Sequence, residues 1–170
     1  MKSRTLLTTA LILTALGALP AAASAAVCAS DPQPVPGGEW RQYGQSPAGM
    51  RLQPAEKLIG PQTVGRLAPQ WSFNTTANEA DGTFQSTPTV ADGCVFLGSS
   101  TGWAFAMNAD TGALVWKHKL DFVKGGLLGS GAVGAPIVQD GRVIFLVSEQ
   151  GDGESKGPNV VALDQRTGKR

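Results

Sequence analysis

Thr87-Pro88-Thr89-Val90-Ala91-Asp92-Gly93 and Ala135-Pro136-Ile137-Val138-Gln139-Asp140-Gly141 are the same phrase written twice. Both the prolines and the Asp-Gly pairs stand 48 positions apart. Each phrase is a short β-branched run that ends in Asp-Gly, a dipeptide that accepts the left-handed backbone of a two-residue hairpin turn. An apolar run follows the first phrase at Cys94 to Leu97, closed by Gly98-Ser99-Ser100-Thr101-Gly102. Trp103 to Met107, a turn at Asn108-Ala109-Asp110-Thr111-Gly112, and Ala113 to His118 complete the set. Four short strands joined by three tight turns predict an antiparallel meander.

The end of the meander also recurs. Ala162-Leu163-Asp164-Gln165-Arg166-Thr167-Gly168 repeats Ala106-Met107-Asn108-Ala109-Asp110-Thr111-Gly112 at an offset of 56. The eight extra residues of the second copy fall around Gly151 to Pro158, where a surface hairpin absorbs them. Four-stranded units with a period of about 40–50 residues predict an all-β fold, a partial β-propeller with blades near 83–120 and 131–170. The step from Gly112 to Trp116 has no counterpart after Gly168, because Arg170 is the last residue given. The reading is therefore an N-terminal part, residues 39–170, whose ring is completed by further blades of its own chain, since propellers need typically four to eight.

Upstream, Met1-Lys2-Ser3-Arg4, the apolar run Leu6 to Leu19 and Ala23-Ser24-Ala25 read as an export signal over 1–25, followed by a flexible leader over 26–38. The apolar run is shorter than the roughly 20 residues of a membrane span. The expected location is outside the cytoplasm, secreted or periplasmic. Cys28 also suggests lipoprotein processing, but Val27 stands where a small residue belongs. Two cysteines in an exported chain leave two options, a Cys28–Cys94 bridge or a buried, inert Cys94. With a formal charge of +1, 16% charged residues and no basic stripe, nucleic acid is excluded as a partner. Between the leader and the first unit, Pro61 to Leu67 reads as one short helical turn and Leu67 to Phe73 as a strand with alternating Trp71 and Phe73.

The stretch from Ala106 to Trp116 resembles the Ala-x-Asp-x-x-Thr-Gly-x-x-x-Trp motif of PQQ (pyrroloquinoline quinone) repeats, with Asn108 in the Asp position and Thr111, Gly112 and Trp116 in place. The second copy keeps Ala162, Asp164, Thr167 and Gly168. Trp40-Arg41-Gln42-Tyr43-Gly44 and Leu67-Ala68-Pro69-Gln70-Trp71 resemble the opening of secreted quinoprotein dehydrogenases, nearest the polyvinyl-alcohol type. The resemblance implies PQQ and calcium in a central channel, alcohol as substrate, and hydride transfer to the quinone. It equally admits the non-enzymatic members, such as the propeller lipoprotein of the barrel-assembly machinery, and an inactive truncated product. Gly134-Ala135-Pro136 matches the family, but where a Gly-Ala-Glu-like segment belongs, the chain reads Leu146-Val147-Ser148-Glu149-Gln150-Gly151. No cofactor contact is carried over by motif, and no Cys-x-x-Cys-His haem site is present.

Each remaining candidate has a plainer explanation beside it. Glu149 is the one candidate for a carboxylate that takes the alcohol proton, against a loop charge. Gly129 to Gly134 matches Gly-x-Gly-x-x-Gly, but a strand follows it rather than the helix that phosphate binding needs, so it reads as a flexible entry into the second unit. Asn108, Asp110 and Gly112 mimic the start of a calcium loop without its terminal Glu. Asp152 and Glu154 read as a solvated hairpin tip. His118, flanked by Lys117 and Lys119, reads as a surface residue, and Trp103 as blade packing.

Overall fold

In the computed structural model the described residues are Cys28, 38–78, Ala80, 82–84, 86–120, 131–148 and 160–170. They form two antiparallel sheets. The first has four strands in the order β1 (Thr89–Ala91), β2 (Cys94–Gly98), β3 (Trp103–Asn108) and β4 (Leu114–Lys119). The second contains β5 (Gly131–Gln139), β6 (Arg142–Ser148) and β7 (Val160–Asp164), again in chain order. These are the two successive antiparallel units that the repeated phrase predicts. The residues read as an export signal, the rest of those read as a leader, Glu149 and the Asp152–Glu154 segment lie outside the described residues.

Local chemistry explains the hairpins. Asp92 and Gly93 have φ of 48° and 71°, and Asp140 and Gly141 have φ of 49° and 71°. Both pairs are type I′ turns, whose twist suits the flanking strands. Alternation then decides what is buried. In β7, Val161 and Leu163 point inward while Val160, Ala162 and Asp164 face out. The inward set joins Val138, Val143, Phe145 and Val147, and meets Cys94, Phe96, Ala104, Ala106 and Trp116 of the first sheet in one core. The innermost strands are also tied directly, since the buried Thr89 hydroxyl donates to the carbonyl of Pro136 at 2.6 Å. The opposite face of the first sheet carries Val95, Leu97 and Met107, covered by Trp71 and Phe73.

Four expectations need correction. The helical turn is a 3-10 turn at Val64–Arg66, starting beyond Pro61, and a second lies at Thr76–Asn78. The first strand starts at Thr89, two residues later than read, whereas the equivalent Pro136 lies inside β5. Gly131 to Gly134 is not a loop but the first part of β5, paired with the end of β6 and carrying a register shift between Val133 and Ile137. Leu67 to Phe73 forms no strand. Exposure alternates through Trp71, Ser72 and Phe73, yet residues 68–73 make no backbone hydrogen bond within the described structure.

Candidate functional site

The two copies of the Thr-Gly motif build the same turn, bond for bond. Asn108 Oδ1 accepts from the Asp110 and Thr111 amides and from the Thr111 hydroxyl at 3.0, 3.0 and 3.1 Å. Asp164 Oδ1 accepts from the Arg166 and Thr167 amides and the Thr167 hydroxyl at 3.1, 2.8 and 2.7 Å. The Gly112 amide reaches the Asn108 carbonyl at 2.9 Å, and that of Gly168 reaches Asp164 at 2.8 Å. The shared device is a single acceptor oxygen, which explains why Asn and Asp are interchangeable there. Hydrogen bonds from the Thr167 hydroxyl and then the Thr167 amide hold the Asp164 carboxyl below its ordinary value.

Onto each turn an indole docks from the preceding segment. Trp116, near the outer edge of the first sheet, donates Nε1–H to the Gln165 carbonyl at 3.0 Å, its ring lying flat against Gly168. Trp71 does the same to the first sheet, reaching the Ala109 carbonyl at 2.9 Å and covering Gly112. A Cβ on Gly168 would sit 2.7 Å from the Trp116 ring, and one on Gly112 would sit 2.6 Å from that of Trp71. Both glycines also hold positive φ, 67° and 70°, so each is required twice over. The motif's Trp therefore serves the turn of the next unit. The role of Trp71 escaped the sequence reading, although Trp71 and Trp116 stand 45 residues apart, close to the spacing of the prolines.

At the inner edge, residues 39–41 cross from one sheet to the other. Trp40 exchanges backbone hydrogen bonds with Val90 at 2.8 and 2.9 Å, and the Arg41 carbonyl accepts from Val138 at 3.1 Å. Asp92 is the centre of a polar clamp. Its Oδ1 accepts from Arg41 at 2.9 Å, its Oδ2 from Gln165 at 2.7 Å, and its amide donates to Glu39 at 2.9 Å. Trp40 Nε1 is buried without an acceptor among the described residues. Because paired residues share a face, its indole lies with Val90 on the side of Val95, Leu97 and Met107.

The other candidates are placed apart from one another. Trp103 stands on β3 with Lys117 Nζ and Lys119 Nζ at 5.5 and 5.1 Å from its ring centroid, beside Phe105. His118 is half-buried on β4, and burial followed by the charge of Arg170 pushes its imidazole below the usual value. Cys28 and Cys94 form a disulfide, with their Cα atoms 5.1 Å apart, which decides between the two readings of the cysteines. Among the described residues no three His, Cys, Asp or Glu side chains converge as a metal site would require. These described side chains therefore form no carboxylate-rich cage of the kind calcium takes.

Residues 40–170 match the family described as PQQ, glucose/ethanol/alcohol dehydrogenase, beta-propeller domain, and the chain belongs to it. A 1-butanol dehydrogenase (cytochrome c) of Thauera butanivorans is 30% identical over 137 residues, covering 79% of this chain and 18% of that protein. The quinohemoprotein alcohol dehydrogenase ADH-IIG of Pseudomonas putida is 31% identical over 94 residues, 55% of this chain and 12% of that one. Among solved structures, a europium-containing methanol dehydrogenase is 34% identical over 49% of this chain and 14% of that chain, with a TM-score of 0.41. The chain thus spans less than a fifth of the length of the curated relatives it matches.

Proposed function

We propose that the chain supplies two neighbouring blades of an exported quinoprotein that oxidises alcohols, with PQQ and calcium held by groups beyond the described residues. The family match across residues 40–170, with relatives named as alcohol dehydrogenases, is the observation that supports it. Further blades of the same polypeptide complete the ring. Trp71 stands to the first sheet as Trp116 stands to the second, so residues 67–73 take the place of an outermost strand belonging to a preceding blade. The polypeptide carrying the whole ring, supplied with PQQ and calcium, is expected to take up the quinone and reduce an artificial dye in the presence of alcohols. The amides of residues 70–73 are expected to exchange slowly in that ring.

A second reading is a propeller that docks other proteins without cofactor. It is favoured by Leu146 and Val147, bulky strand residues where the family's small residues belong. A folded ring that takes up no PQQ and shows no dye reduction decides for that reading and against the dehydrogenase.

A further inference from the structure

We propose that the exposed face of the second sheet is the docking surface for a third sheet of the same polypeptide, seated as the second is seated on the first. The strand registers make the two faces equivalent position by position. Phe96 pairs with Ala106 on the first sheet as Ile144 pairs with Ala162 on the second. The offsets are those of the repeated phrases, 48 residues between β2 and β6 and 56 between β3 and β7. Phe96, Ala104 and Ala106 are fully buried in the core that the two sheets share. Their counterparts Val160 and Ala162 are exposed and Ile144 is half-buried. Ile137, paired with Ile144, and Leu146, paired with Val160, lie on the same face. Ile137, Leu146 and Val160 are 38, 46 and 58% exposed, where the matching side of the first sheet is dry.

The existing contact between the sheets identifies the occupant. It is head-to-tail, the front of one sheet against the reverse of the next. The reverse of the second sheet carries Val138, Val143, Phe145, Val161 and Leu163. The reverse of the first sheet, Val95, Leu97 and Met107, is already covered by Trp71 and Phe73. The described residues therefore hold one free front and no free reverse, and a second copy has no reverse face to offer. A further unit of the same chain supplies it, as an antiparallel sheet whose reverse side alternates large aliphatic and aromatic residues. Arg142, directly opposite Asp164, closes the apolar strip at its end, the polar rim that such a contact carries.

The inference rests on the reading that further blades follow in the same polypeptide. Ile144→Cys and Val160→Cys, made one at a time in the polypeptide carrying the whole ring, test it by thiol alkylation and intact mass. Each introduced thiol is expected to stay unalkylated in native buffer, whatever the protein concentration, and to react once urea unfolds the ring. An introduced thiol that alkylates in the folded monomer overturns the proposal, and so does protection that appears only as the protein dimerises. Where a cysteine variant does not fold, hydroxyl-radical oxidation of the unmodified polypeptide gives the same reading. Leu146 and Val160 are then expected to oxidise only after unfolding, and their oxidation in the native ring overturns the docking surface. The two readings fail separately. A ring that protects both thiols but takes up no PQQ ends the dehydrogenase and keeps the docked sheet, whereas an active ring with reactive thiols does the reverse.

Discussion

Replacing Gly168 with alanine tests the joint between the blades. The substitution has two separable costs. Gly168 has φ of 67°, and a side chain in the left-handed region costs about 1–2 kcal/mol. The new methyl would also lie 2.7 Å from the Trp116 ring, which is 7% exposed and has little room to move. Backing the ring away stretches its 3.0 Å bond to the Gln165 carbonyl, and overpacking of this kind costs a further ~1–3 kcal/mol. Gly141 provides the control. Its φ is 71°, but nothing lies within 4 Å of an added Cβ, so Gly141→Ala carries the backbone cost alone. Urea unfolding followed by far-ultraviolet circular dichroism, at unchanged m, is expected to place Gly168→Ala about 1–3 kcal/mol below Gly141→Ala. In a Trp116→Ala background the ring is gone, and Gly168→Ala is expected to fall to the cost of the control. The reasoning is refuted if the two glycine variants are equally stable, or if the Trp116 and Gly168 changes add within about 0.5 kcal/mol.

Four further outcomes follow from the other contacts. Trp71→Phe loses a made hydrogen bond and should destabilise by about 1 kcal/mol, whereas Trp40→Phe removes a buried donor with no acceptor and should be neutral or stabilising, both read as shifts in urea midpoint. Reducing the disulfide, which closes 66 residues, should cost about 4 kcal/mol by the chain-entropy estimate, measured as a lower melting temperature in reductant. The His118 imidazole is held below its ordinary value of 6.5, so on acidification the unfolded chain takes up its proton first. Its contribution is complete above about pH 6.5 and lost as pH falls towards the folded value, and His118→Gln should flatten that limb in a pH series of melts.

What the sequence made legible was the chemistry of neighbours along the chain. Asp92-Gly93, Asp140-Gly141 and the two Thr-Gly turns declare themselves because each satisfies its own backbone within a few residues. Whatever depends on a partner element was harder to read. Leu67 to Phe73 has a strand's alternation but no sheet among the described residues, so its pattern predicted pairing that is absent. The glycines from Gly131 to Gly134 read as a loop because they carry no β-propensity, yet β6 recruits them by lying alongside. The clamp around Asp92 left no periodic trace, because Glu39, Arg41 and Gln165 lie 53, 51 and 73 residues away. Turn geometry alone also left open which turn Trp116 serves.

The connection between β6 and β7 is where the second unit carries its additional residues, and it leaves the sheet at the end away from both docked indoles. The ends of β6 and β7 that this connection joins carry neither indole contact. The opposite end is bound to a fixed geometry, because Gly112 and Gly168 leave no room for a side chain beside the indoles.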